Sequence, residues 1–102
     1  IMIPSIEAKR EALAELCLQY QVRSLEVFGS AATGRLRDNS DVDFLVDFRP
    51  VDSMSLADQY FGLLAALEEL FGRKVDLLTR RSLRNPYFVD SVEKTRQLLY
   101  AA

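Results

Sequence analysis

Apolar and polar positions in the first part of the chain alternate with periods that predict a helix, a strand and a short second helix. Apolar residues between Ser5 and Tyr20 recur at helical spacing, so we expect an amphipathic helix of about four turns with Ser5 as its N-terminal cap. A strand is predicted over residues 24–28, where apolar residues precede a glycine. Residues 30–33 then predict a short helix that stops at Gly34.

The second half of the chain continues this alternation of strands and helices. Its periodicity and turn residues predict a strand over residues 41–48, a helix from Ser53 or Ser55 to Gly72, a strand over residues 74–79, and a helix from Asn85 that includes Leu99. We therefore expect one α/β (α+β) domain over residues 1–102, in which helices pack on one face of a mixed sheet of three to four strands. The opposite face of the sheet is then left uncovered.

The composition is that of an ordinary globular protein and gives no sign of a membrane or nucleic-acid partner. The 102 residues are 49% hydrophobic and 27% charged, and a net charge of −2 with a pI near 5.1 favours neither direct DNA binding nor attachment to a membrane surface. No apolar run reaches the ~18 residues of a membrane span. No secretion signal is recognised, and Cys17 is the single cysteine, so the cytoplasm is the expected location.

The absence of histidine from the sequence restricts the chemistry that the protein can perform. Nucleophilic catalysis that relies on an imidazole base is excluded, and so are zinc sites built on imidazole ligands. A general base must therefore be a carboxylate, and a metal site must consist mostly of oxygen ligands.

Two aspartates at the start of the strand predicted over residues 41–48 form the first candidate site. Residues i and i+2 of a strand point to the same face, so the carboxylates of Asp41 and Asp43 are expected side by side among apolar neighbours. Like charges this close raise each other's pKa or need a cation between them. Mg²⁺ suits the arrangement, because it prefers oxygen ligands and combines a few carboxylates with phosphate oxygens.

A third aspartate also lies within a predicted strand, the next one along the chain. Asp76 lies in the middle of the strand over residues 74–79, where an unpaired carboxylate is costly. If the two strands are neighbours, three carboxylates converge on the uncovered face and suit two Mg²⁺ ions, which can hold the attacking and leaving oxygens of an in-line displacement. A structural explanation stays open: Asp41 could cap its strand, and the other two aspartates could pair with arginines such as Arg35 or Arg81.

Gly29 and Ser30, which join the first strand to the short helix, are candidates for binding phosphate. A glycine lets the backbone approach a ligand closely, the first N–H groups of a helix meet anions, and the serine hydroxyl can donate a further hydrogen bond. A Gly-Ser pair alone is uninformative. The succession of a strand, Gly-Ser, ten residues, Asp-x-Asp in a strand and a later in-strand aspartate is far more specific.

These motifs resemble those of a known family. The stretches Val27-Phe28-Gly29-Ser30 and Ser40-Asp41-Val42-Asp43-Phe44 match the Gly-Ser-x10-Asp-x-Asp motif of the DNA polymerase beta superfamily of nucleotidyltransferases. Within that superfamily the chain resembles, over nearly its whole length, the minimal nucleotidyltransferase (MNT) domains that are the antitoxin partners of HEPN-domain toxins. The resemblance implies a single-domain polymerase-beta-like fold.

The resemblance also implies a role for each candidate residue. Gly29 and Ser30 would hold the β- and γ-phosphates of a nucleoside triphosphate. Asp41 and Asp43 would bind Mg²⁺. Asp76 would complete the site by binding one metal ion and helping to activate the acceptor hydroxyl.

Two groups of arginines are further candidates for binding an anion. Arg35 or Arg37 is our candidate for the cation that neutralises the leaving pyrophosphate, although both could be solvated loop residues. The cluster Arg80, Arg81 and Arg84 could bind pyrophosphate or an acidic partner surface, and a solvated loop explains it equally well.

The resemblance implies that the chain transfers AMP from ATP to a tyrosine hydroxyl of a cognate HEPN toxin and so acts as an antitoxin. Two alternatives remain open. A catalytically silent antitoxin would neutralise its toxin by binding alone, and a free-standing enzyme would transfer a nucleotide to a small molecule or an RNA end. Homo- and hetero-oligomers are both compatible with the sequence.

Overall fold

The computed structural model describes residues 4–35, 37 and 40–102, and the elements named here are those of that part of the chain. The helices are α1 (Pro4–Glu7), α2 (Arg10–Gln19), α3 (Ser30–Thr33), α4 (Leu56–Phe71) and α5 (Pro86–Thr95), with a 3₁₀ turn at Arg80–Ser82. The strands are β1 (Val22–Phe28), β2 (Val42–Phe48), β3 (Val75–Thr79) and β4 (Gln97–Ala101). None of the described helices combines the length and the apolar character needed to cross a lipid bilayer.

The strands form one mixed sheet in the order β3-β2-β1-β4. β1 pairs antiparallel with β2 and with β4, whereas β2 and β3 are parallel. A parallel pair needs a long crossover connection, and α4 supplies it. The predicted mixed sheet is therefore confirmed, with four strands.

Helices α2 and α4 cover one face of the sheet, and the main hydrophobic core lies between them and the strands. Alternate residues of β2 point into this core, because Val42, Phe44 and Val46 are at most 1% exposed. The ring of Phe71 in α4 contacts Phe44, with 5.7 Å between the ring centroids. Burial of each large apolar side chain contributes about 1.5–3 kcal/mol, so this layer fixes the position of β2.

Both predicted ends of α4 are confirmed. The Oγ of Ser55 accepts a hydrogen bond from the Asp58 N–H at 3.1 Å, so Ser55 and not Ser53 is the cap. Gly72 follows the helix with φ 64°, a left-handed conformation that glycine adopts without strain.

The first helix is interrupted, and the predicted cap at Ser5 is wrong. Ser5 lies inside α1, and α2 begins again after Lys9. The N–H of Lys9 closes a turn on the Ile6 carbonyl, and its ammonium group donates to the Leu70 carbonyl at 3.0 Å. The break is thus stabilised by a tertiary contact with the end of α4. The periodicity of apolar residues along the chain does not predict such a contact.

The final helix is shorter than predicted, because it ends at Thr95 and the chain then forms β4. Arg96 has an extended backbone with ψ 138°, which turns the chain out of the helix. Leu99, expected on the inner face of a helix, is buried instead by the pairing of β4 with β1. An apolar run of about five residues fits a helix turn or a strand equally well. Here the residues form a strand because they pair with the edge of β1.

A second, smaller apolar cluster lies on the opposite face of the sheet. Phe28 and Leu45 contribute to it from the sheet, Val92 from α5, and Leu78 and Leu83 pack at its margin. Helix α5 therefore covers part of the face that the sequence analysis left uncovered. An amphipathic pattern shows that a helix has an apolar side, but it does not show which face of the sheet that side contacts.

A buried glutamate ties this second layer to the central strand. Glu26 in β1 is 6% exposed, and its carboxylate lies 2.7 Å from Arg80 Nη2 and 3.5 Å from Arg96 Nε. A buried carboxylate is stable only if it is paired. The two arginines therefore fasten the 3₁₀ turn and the end of α5 to the sheet.

We predict that Gln59→Leu destabilises the fold by about 2–3 kcal/mol, since it leaves two carbonyls without their donor. Gln59 is 2% exposed, and its Nε2 donates to the carbonyls of Tyr20 and Arg49 at 3.1 and 2.9 Å. Urea denaturation measures the change. Gln19→Leu, at an exposed position on α2, is the matched control and is expected to change the free energy of unfolding by less than about 0.5 kcal/mol. Equal effects of the two variants would refute this role for Gln59.

Candidate active site

Asp43 and Asp76 lie side by side on neighbouring strands. The parallel ladder between β2 and β3 pairs them directly in register, so their side chains leave the same face of the sheet from strands about 4.8 Å apart. The strand adjacency that the sequence argument assumed is present. This face is the one opposite to α2 and α4.

The three aspartates differ in their exposure. Asp41 lies one residue before β2, and its side chain is exposed. Asp76 is also exposed, because β3 is an edge strand, and this differs from the expected cost of a buried mid-strand carboxylate. Only Asp43 is partly buried. The cost of placing negative charges close together in a partly buried position, which was predicted for all three aspartates, therefore falls mainly on Asp43.

Burial, and after it the negative charges of Asp76 and Asp41, raise the pKa of Asp43 from 3.8 to about 6. At neutral pH the carboxylate is therefore held ionised against its surroundings. A bound cation removes both causes at once, since it replaces lost hydration and offsets the neighbouring charges.

Gly29 is in direct contact with Asp43. It ends β1 and precedes α3 with φ 70° and ψ −145°, a region that is nearly restricted to glycine. The antiparallel ladder pairs Phe28 with Asp43, which brings the next residue of the turn against the carboxylate. A Cβ atom on residue 29 would stand 2.7 Å from Asp43 Oδ2. The Gly-Ser turn and the carboxylates thus form one site.

The hydrogen bonds of the turn refine the expected contacts with phosphate. The Gly29 N–H donates to Thr95 Oγ1 at 2.9 Å, so this donor is already used inside the protein. Ser30 and Ala31 open α3, and the first N–H groups of a helix have no acceptor within it. Ala31 is completely buried, so the donors left for a ligand are the N–H and the hydroxyl of the half-buried Ser30.

The structure leaves the roles of Arg35 and Arg37 as predictions. Both side chains are exposed. The Arg35 N–H donates to the Ser30 carbonyl at 2.8 Å, which places this residue directly after α3. The Arg37 carbonyl accepts a hydrogen bond from Arg73 Nη1 at 2.9 Å, and its neighbours at positions 36, 38 and 39 lie outside the described residues.

The cluster of Arg80, Arg81 and Arg84 does not act as one unit. Arg80 pairs with the buried Glu26, so its main contact is structural. Arg84 Nε donates to the Arg81 carbonyl at 3.4 Å, and both of these side chains are exposed. Sequence reasoning missed Glu26, whose one signal was a single acid inside an apolar strand.

A cavity among the described residues lies away from the aspartates. It has a volume of about 560 Å³ and is lined by residues near the other ends of β1, β2 and β3, among them Arg23, Asp47, Thr79 and Leu56. It contains none of the residues of the predicted site. The carboxylate site does not lie in this cavity, and the exposed side chains of Asp41 and Asp76 are accessible from the surface.

The donor set fits Mg²⁺ that arrives together with a nucleotide. Within residues 4–35, 37 and 40–102, no three acidic or cysteine side chains already stand where they could hold a metal ion. Mg²⁺ usually takes one or two carboxylates and completes its octahedron with water and phosphate oxygens. Asp43 beside Asp76, with the Gly-Ser turn against Asp43, is compatible with that requirement.

Comparison with known proteins identifies close sequence relatives. The family model for a nucleotidyltransferase domain matches residues 9–99 of the chain. A Methanocaldococcus jannaschii protein named "putative protein adenylyltransferase" is 40% identical over 76 residues, which are 74% of this chain and 75% of that protein. The "Protein adenylyltransferase MntA" of Thermococcus cleftensis is 39% identical over 71 residues, 70% of this chain and 69% of that protein.

Solved structures show the same fold. A structure described as a "putative minimal nucleotidyltransferase" has 34% identity, a TM-score of 0.73 and 95% coverage of both chains. A toxin–antitoxin crystal structure with AMP-PNP has a TM-score of 0.69 at 20% identity, over 91% of this chain and 73% of that chain. At that identity the likeness is one of fold.

We predict that Asp43→Asn stabilises the protein at pH 7 by about 1 kcal/mol after allowance for solvent screening, which is roughly 4–8 °C in Tm for a domain of this size. The folded-state pKa lies above the unfolded value, so the folded protein binds more protons between pH 4 and 6. Stability from this group is therefore present at low pH and is lost as the pH rises through about 6.

Thermal unfolding without Mg²⁺, from pH 4 to 8, measures this effect. The wild-type curve should fall relative to that of Asp43→Asn across the window, and Asp52→Asn, at an exposed loop position, should follow the wild type. A lower Tm for Asp43→Asn at pH 7 would contradict the electrostatic strain.

Gly29→Ala is predicted to reduce nucleotide binding by about tenfold or more, because its Cβ displaces the Asp43 carboxylate. Backbone strain should lower stability by about 1–3 kcal/mol. Gly72→Ala is the matched control: Gly72 also has a positive φ of 64°, but a Cβ there has no atom within 4 Å. Titration with Mg²⁺ and AMP-PNP compares them, and equal losses of affinity would show that strain alone is responsible.

Proposed function

This chain belongs to the nucleotidyltransferase family and, within it, to the minimal nucleotidyltransferases, and on that premise we propose that it transfers AMP from ATP to a protein hydroxyl group. The observation that carries the proposal is the contact between Gly29 and Asp43, because it joins a phosphate-binding turn to a pair of carboxylates. An open site of this kind suits an acceptor that is itself a folded protein.

The acceptor that we propose is a tyrosine of a HEPN-domain toxin, which the chain would neutralise in the cytoplasm. Two relatives that cover about 70–75% of this chain carry the name of protein adenylyltransferases. The fold is shared with a toxin–antitoxin assembly that binds AMP-PNP. Both facts favour a protein acceptor over a small molecule or an RNA end.

In this reaction the acceptor oxygen forms a bond to the α-phosphorus, and the bond from that phosphorus to the bridging oxygen breaks, so that pyrophosphate leaves with the electron pair. Ser30 would orient the triphosphate through its hydroxyl and N–H. Asp76, exposed beside Asp43, would accept the proton of the acceptor hydroxyl. Arg35 or Arg37 would neutralise the departing pyrophosphate.

Asp43 and Asp76, which lie side by side, would provide the first ligands of Mg²⁺, and Asp41 would join them once a nucleotide is bound. When bound, the metal would neutralise the charge that develops on the phosphate oxygens during transfer. The raised pKa of Asp43 supports this assignment, because it reflects a negative charge with too little compensation from the protein itself.

We predict that the chain, Mg²⁺ and ATP labelled in its α-phosphate transfer the label to a tyrosine of a HEPN-domain toxin encoded beside it. Asp43→Asn should slow transfer by about a hundredfold or more, since it weakens charge neutralisation in the transition state. Asp52→Asn should leave the rate unchanged. Gel autoradiography followed by mass spectrometry of the toxin locates the label.

Absence of labelled toxin with the wild-type chain, or equal rates for the wild type and Asp43→Asn, would refute adenylyl transfer. A combined Asp41→Asn/Asp43→Asn/Asp76→Asn variant distinguishes the binding alternative. If it neutralises the toxin as completely as the wild type, the antitoxin acts by binding alone.

A further inference from the structure

The junction between α5 and β4 contacts α3 near both of its ends, at Gly29 and at Ala32. We call Thr95, Arg96 and Gln97 the α5–β4 junction. None of these residues belongs to the Gly-Ser or Asp-x-Asp motif. Thr95 contacts Gly29 and Gln97 contacts Ala32, across separations of 66 and 65 residues.

Thr95 holds the beginning of α3. Its Oγ1 accepts the Gly29 N–H at 2.9 Å and donates to the Ser91 carbonyl at 2.8 Å. The second bond orients the hydroxyl so that a lone pair faces the glycine. A valine in this place would have nearly the same shape but would leave the Gly29 N–H without an acceptor.

Gln97 holds the other end of the same helix. Its Nε2 donates to the Ala32 carbonyl at 2.7 Å. Carbonyls at the end of a helix lack intrahelical donors, so this contact replaces one of them and fixes the direction of the helix axis.

The junction is itself anchored to the centre of the sheet. Arg96, between the two contact residues, lies 3.5 Å from the carboxylate of the buried Glu26. A helix of four residues does not maintain its own orientation, because one turn is too short to be stable alone. Tertiary contacts must therefore set how Gly29 and Ser30 face Asp43.

We propose that Thr95 and Gln97 are positioning residues for the nucleotide, which clamp α3 at both ends so that Ser30 faces the triphosphate whose metal ion Asp43 would hold. This inference rests on the proposed function for the identity of the ligand. It extends the site to residues that touch neither phosphate nor metal.

Two measurements on the full chain test the clamp: the Kd of AMP-PNP in the presence of Mg²⁺, and the hydrogen-exchange rate of the Gly29 amide by NMR. Thr95→Val should weaken AMP-PNP binding by about tenfold and accelerate Gly29 exchange by about tenfold, the effect of one lost buried hydrogen bond. Thr95→Ser keeps the hydroxyl and should restore both values to within about threefold of the wild type.

Two further variants make the test specific. Gln97→Met, which keeps the length and removes the donor, should also weaken binding, and it probes the clamp independently if Thr95→Val does not fold. Ser91→Ala is the matched control, because Ser91 contributes its carbonyl and not its side chain. It should match the wild type in both measurements.

Wild-type affinity and exchange in both Thr95→Val and Gln97→Met would overturn the proposal, and so would a wild-type chain that does not bind AMP-PNP. Weaker binding without rescue by Thr95→Ser would also overturn it, since the packing and not the hydroxyl would then be responsible. If the wild type binds AMP-PNP but transfers no AMP, the proposed function fails while the clamp stands on these two measurements.

Discussion

The position of one carboxylate, that of Asp43, constrains the rest of this structure. Its strand is fixed by the main core, where Phe44 on one side of β2 is completely buried and thereby turns Asp43 to the other side. The parallel register places Asp76 beside it, and the antiparallel register places Gly29 against it. Burial and the negative charges of Asp76 and Asp41 make the ionised form of Asp43 harder to accommodate, and this is the basis for proposing a cation there.

The second layer of the fold lies on the same face of the sheet as the carboxylates and contacts the Gly-Ser turn. Helix α5 packs on Phe28 and Leu45, and the ion pairs of Glu26 hold its C-terminal end near β1. That end meets the Gly-Ser turn through Thr95. The face with the carboxylates is therefore divided between a region covered by α5 and a region around Asp43 and Asp76, where Asp76 is exposed.

The sequence predicted those parts of the molecule that depend on local pattern. The ends of helices follow from their capping residues, and the buried face of β2 follows from its alternation of apolar and polar residues; the caps are Ser55, Gly72 and Asn85. The Asp43–Asp76 pair follows once β2 and β3 are neighbours. The sequence could not predict β4, because its five residues become a strand only when β1 offers an edge. The structural roles of three further residues could not be predicted for a related reason. The partners of Glu26, Thr95 and Gln97 are distant in sequence, and none of the three belongs to a recognisable motif.

We propose that Asp43 is strained by its neighbours until a cation binds. Carbon-13 NMR of the aspartate carboxyl groups, titrated from pH 3 to 8, reports this directly. Without divalent ions we expect an apparent pKa of about 6 for Asp43, and with Mg²⁺ and AMP-PNP we expect a carboxylate that stays ionised well below that pH. A titration near 3.8, the ordinary aspartate value, that Mg²⁺ and AMP-PNP leave unchanged would contradict it.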